Sequence, residues 1–79
     1  MNAIEIARKF SEIKADNKDL VLHLMVTAKR NQQTVYGELL DWLRDMCSEL
    51  SLMEREILCK MLLGDFVIHN PAFLLDING

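Results

Sequence analysis

A chain of 79 residues, 51% hydrophobic and 27% charged, is short for two domains and too apolar for disorder, so one folded domain is expected over residues 1–79. Residues 1–30 hold six basic groups against four acids, and residues 31–79 three against eight, for a net charge of −3. That distribution lacks the concentrated basic footprint of a nucleic-acid binder. Cys47 and Cys59, without a Cys-x-x-Cys pair, suggest neither a disulfide framework nor a zinc site, and are read as reduced core residues.

Residues 1–14 interleave charge with apolar groups, unlike the apolar core of a secretory signal, and no run approaches 18 uninterrupted apolar residues. A cytoplasmic location with no membrane association is expected. Ala3, Ile6, Ala7, Phe10 and Ile13 recur at the spacing that gathers side chains on one helical face, which predicts a first helix over residues 3–14. The stretch ADNKD breaks the pattern, and Asp16 or Asn17 is the expected cap of a second helix over residues 18–29.

This second helix carries Leu20, Leu24 and Ala28 on one face and Leu22 and Val26 nearly opposite, with Val21 and Met25 between. Apolar groups on more than one side predict a central position. The segment LVLHLMV also fits a buried strand, but no convincing partner strand exists elsewhere in the chain.

After KRNQQ, a third helix is expected over residues 34–49, with Thr34 as its cap. Its stripe is Val35, Leu39, Trp42, Leu43, Met46 and Leu50, widened by Tyr36, Leu40 and Cys47, and its opposite side carries Glu38, Asp41, Asp45 and Glu49. Ser51 and Glu54 have the spacing of a capping box, so a fourth helix should start at residues 51–52, bury Met53, Ile57, Leu58 and Met61, and end at Gly64. Asn70 followed by Pro71 then predicts a short fifth helix over residues 71–76. The fold expected is all-α: a compact four-helix bundle-like domain with a short additional C-terminal helix and short antiparallel connections.

Two stretches resemble DNA-binding modules. LSLMEREILCKMLLG, residues 50–64, looks like the first helix of the DNA-binding output domains of some bacterial response regulators and of the related module in sigma factors. The resemblance implies two further helices after the glycine, yet only 15 residues follow Gly64 and none is Lys or Arg. NQQTVYGEL, within residues 28–43, is similar to the second-helix pattern of repressor-type helix-turn-helix proteins, which implies that Gln32, Gln33 and Thr34 read bases with Lys29 and Arg30 beside them. Lys29 and Arg30 replace the turn glycine and the apolar residue of that pattern, and Glu38, Asp41 and Asp45 would face phosphates. The plainer reading is a polar turn between helices.

The acidic side of the third helix is read as a solvated face, and His23 and His69 as structural histidines, because their spacing to the cysteines matches no metal signature. No recognisable nucleophile triad, phosphate loop or zincin motif occurs. An enzyme is therefore not expected, and no cofactor. The function expected is that of a small protein-binding regulator or adaptor, of the kind encoded by bacteria and their mobile elements. Its apolar surplus predicts a homodimer or another protein partner, with the interface on Tyr36, Trp42, Phe66, Ile68, Phe73 and Leu74. The alternative is a helix-turn-helix transcriptional regulator that uses residues 32–36.

Overall fold

Four helices in the order α1 (Ala3–Asp16), α2 (Leu20–Asn31), α3 (Val35–Met46) and α4 (Leu52–His69) make up the computed structural model, which describes residues 2–17 and 19–72. The all-α class follows from the helical periodicity, and the radius of gyration, 12.1 Å, matches the roughly 12 Å expected of a folded chain of this length.

Three of the four starts have a side-chain cap. The Asn2 side chain accepts the Glu5 amide at 3.1 Å and opens α1, whose Ile6 and Ile13 face the core. The Thr34 hydroxyl accepts the Gly37 amide at 2.9 Å and opens α3. Ser51 and Glu54 form the expected reciprocal box at the start of α4, with bonds of 2.9 and 3.2 Å. The start of α2 differs from expectation. Asp16 is the last residue of α1, Asn17 closes that helix by donating its side-chain amide to the Ile13 carbonyl, and Asp19 takes the cap position of α2 without a side-chain capping bond.

The ends differ more. α2 stops where Gln32 takes a left-handed conformation, φ 57°, and the Gln32 and Gln33 amides turn back to the carbonyls of the last turn. α3 ends at Met46, three residues before the expected limit, because a tight turn over Cys47 to Leu50 brings both of those side chains into the core. α4 does not stop at Gly64 but runs through it to His69. Glycine permits a stop without requiring one, and one more turn buries Phe66 alongside Leu58, Cys59 and Leu62. Asn70, expected to open a fifth helix, closes α4 instead, its backbone and side-chain amides donating to the Phe66 carbonyl at 2.8 and 3.1 Å. Among the described residues no fifth helix follows; Pro71 and Ala72 form a turn, and residues 73–76 of the expected helix lie outside the described residues.

The central helix is α4, which packs against both α1 and α3, while α2 packs chiefly on α3. The expectation of a central α2 is therefore corrected. Leu20, Leu24 and Ala28 are buried, but Leu22 and Val26 on the opposite side are 65% and 51% exposed. Met53 and Met61, both expected in the core, are exposed as well, because the buried stripe of α4 is turned toward Cys59 and Leu62.

α1 and α4 lie side by side in the same direction. At one end the Asn2 amide donates to Glu54 at 3.0 Å, and toward the other Lys14 pairs with Asp65 at 3.1 Å. Lys14 also sits 5.1 Å above the Phe10 ring. Among the described residues no helix is long and apolar enough to cross a membrane.

Candidate protein-binding surface

The residues singled out from the sequence are not presented together. Phe66 is in the core, packed on the stripe of α4. Tyr36 and Trp42 are half-buried against the same core, and the Tyr36 carbonyl accepts the Cys59 thiol at 3.7 Å. Ile68 is 75% exposed, while Phe73 and Leu74 lie outside the described residues. The expected interface thus has one fully available side chain and two partly available ones within the described chain.

Two other apolar surfaces stand in water. The first is where α1 and α4 begin. Ile4, Leu52 and Met53 line a shallow open cleft there with Asn2, Ala3, Ser51 and Glu54. Glu54 fixes this end: one carboxylate oxygen accepts the Ser51 amide at 2.9 Å and the other the Asn2 amide at 3.0 Å. Those two backbone hydrogen bonds, Asn2 first, hold its carboxyl below the ordinary range. The ring of polar contacts orients both first turns, so the apolar side chains that follow each cap project from a fixed base.

The second surface is the outer side of α2. Asp19, Leu22, His23, Val26, Lys29 and Arg30 are all exposed there. The two apolar residues sit between an acid at one end and a basic pair at the other. A signal for this face existed in the sequence, since Leu22 and Val26 oppose the buried stripe; their apolar character pointed to a central helix because periodicity reveals faces, not neighbours.

The residues of the helix-turn-helix reading, Lys29, Arg30, Gln32, Gln33 and Thr34, are all exposed at the junction of α2 and α3. The Thr34 hydroxyl caps α3, and the Gln32 backbone forms the left-handed stop of α2. Glu38, expected on the solvated acidic face, is buried instead and accepts the Asn31 side-chain amide at 2.9 Å, which fastens the end of α2 to the first turn of α3. Of the other three acids, Glu49 is paired with Lys9 at 2.7 Å, and only Asp41 and Asp45 stand well exposed without such a cross-helix partner among the described residues. No continuous acidic face of four residues remains.

Neither cysteine is poised as a nucleophile. Burial pushes the Cys59 thiol up to about 12 and raises Cys47 in the same direction. His23 is exposed rather than a packed structural residue, and His69 is exposed with its ring nitrogen 2.9 Å from the Asp65 carbonyl. Among the described residues no cluster of three or more His, Cys, Asp or Glu side chains converges as a metal site would require. Leu22 and Val26 on α2 are apolar side chains exposed beside the charged Asp19, Lys29 and Arg30. Comparison with protein-family models, with curated proteins and with solved structures gives no match.

Proposed function

We propose that this chain is a small protein-binding regulator or adaptor that works through exposed apolar helical surface and carries no catalysis. The observation that supports the reading is the exposure of Leu22 and Val26 on α2 and of Ile4, Leu52 and Met53 where α1 and α4 begin. Each large apolar side chain left in water forgoes about 1.5 to 3 kcal/mol of burial, and grouped rather than scattered exposure of this kind usually marks a contact surface. A partner that covers either group recovers that term.

The test uses the full chain as bait against an extract of its source, beside two variants, Leu22→Glu and Met53→Glu. Both positions are exposed, so both variants should keep wild-type helicity. A protein held by the wild type and released by one variant supports the reading. A wild-type chain that stays monomeric and holds nothing overturns it.

A second reading, DNA binding through the α2–α3 junction, is favoured by one observation: Glu38 is withdrawn from the surface, leaving Lys29, Arg30 and Gln33 exposed with one acid fewer near them. Asp41 and Asp45 remain exposed on α3, where each would repel phosphate. A sequence-selective gel shift abolished by Gln33→Ala would favour this reading over the first.

A further inference from the structure

The outer face of α2 is self-complementary. At 100° per residue, Asp19, Leu22, His23, Val26, Lys29 and Arg30 fall within an arc of about 120°, opposite the buried Leu20, Leu24 and Ala28. Leu22 and Val26 flank the level of residue 24, and Asp19 and Lys29 lie at equal distances beyond them, roughly 7.5 Å along the axis on either side. Reversing the helix end for end exchanges the members of each pair. The reversal that lays Leu22 on a second copy's Val26 also lays Asp19 on that copy's Lys29, with Arg30 next to it.

We propose, resting on the protein-binding reading above, that the occupant of this face is a second copy of the chain, seated antiparallel on α2 about a two-fold axis level with residue 24. Every contact then occurs twice, as a closed two-fold interface requires. Four apolar side chains meet along the middle and an acid meets a basic pair at each end. Asp19, Lys29 and Arg30 are exposed and form no ion pair among the described residues, so the pairing takes no charge from a contact within the chain. Nothing within α2 opposes the approach, because the helix sits at the edge of the molecule and packs chiefly on α3. An unrelated amphipathic helix would meet the apolar pair equally well, but a charge order that matches its own reversal favours a copy of itself. A contact this small gives a weak dimer, with a dissociation constant on the order of micromolar or above.

The test is a charge-exchange experiment read by sedimentation equilibrium. The wild-type mass should rise from 9.1 kDa toward twice that value as the concentration increases from about 10 μM to about 1 mM. Asp19→Lys alone and Lys29→Asp with Arg30→Asp alone each set like charges against each other, and each should weaken self-association by about tenfold or more. An equimolar mixture of the two restores opposite charges at both ends and should form a heterodimer as tight as the wild-type dimer. Circular dichroism checks that each chain remains helical. Val26→Glu, at an exposed mid-helix position, should abolish the dimer without disturbing the termini of α2.

A wild-type chain that is still monomeric at about 1 mM overturns the proposal. So does a dimer indifferent to Val26→Glu, or a mixture that fails to associate where the wild type does. A monomer that binds a different protein through Leu22 and Val26 overturns the second-copy occupant alone. A monomer that binds nothing overturns the protein-binding reading with it.

Discussion

Glu54 joins two points of the chain 52 residues apart, because the carboxylate that completes the local capping box also accepts the Asn2 amide. Its folded-state pKa is depressed by those bonds, so the stability it contributes is fully present above the ordinary carboxyl value of 4.5 and is lost as the pH falls through the lower folded value. Glu54→Gln should lower the melting temperature near neutrality, and the gap to the wild type should narrow as the pH falls below about 4.5. A gap independent of pH would show that the charge contributes nothing. Cys59 runs the other way: burial holds the thiol protonated, and stability should decline as the pH rises above the ordinary thiol value of 9.0 toward about 12. At neutral pH its labelling by iodoacetamide should be far slower than that of an exposed thiol, in proportion to the small population of opened molecules. The Ser51–Glu54 box was legible because a cap is a pattern of four adjacent residues. The burial of Glu38 was not, since its acidic neighbours at helical spacing indicated a wet face and its partner, Asn31, belongs to the preceding helix.

At the level of the helices, the starts were readable to within about two residues and the ends less well. A start is marked by a side chain that accepts an amide, as Thr34 and Ser51 do; an end depends on what the next turn would bury. Gly64 illustrates the difference. It lies inside α4, exposed, with nothing within 4 Å of where a Cβ would stand. Gly64→Ala should therefore stabilise the protein by roughly 0.5 to 1 kcal/mol, the usual helix-interior preference, read as a higher denaturation midpoint with unchanged slope. A loss of stability would argue that the helix breaks at that glycine after all. The position of α2 was misread for a related reason: two apolar faces on one helix are compatible with burial on both sides or with one face kept for a partner, and only the packing of α4 between α1 and α3 decides between them. For the same reason, the apolar surface at Ile4, Leu52 and Met53 was not legible, since it arises only when the first turns of α1 and α4 are brought together.

Across the whole molecule, support is unequal. α4 has neighbours on two sides, whereas α2 depends mainly on α3. Amide hydrogen exchange should accordingly show α2 opening at lower free energy than α4, whose Leu58, Cys59 and Leu62 are fully enclosed. Equal protection in the two helices at low protein concentration would contradict this ranking. The pairing of α1 with α4 also has a consequence for biosynthesis. α2 and α3 meet across a three-residue connection and can associate as soon as both have been translated, but the apolar side of α1, with Ile6, Phe10 and Ile13, is made first and acquires its principal neighbour last. On the nascent chain that stripe is held open for the time taken to synthesise about 50 further residues, a few seconds at bacterial or eukaryotic elongation rates. This makes α1 the segment that a ribosome-associated chaperone would meet.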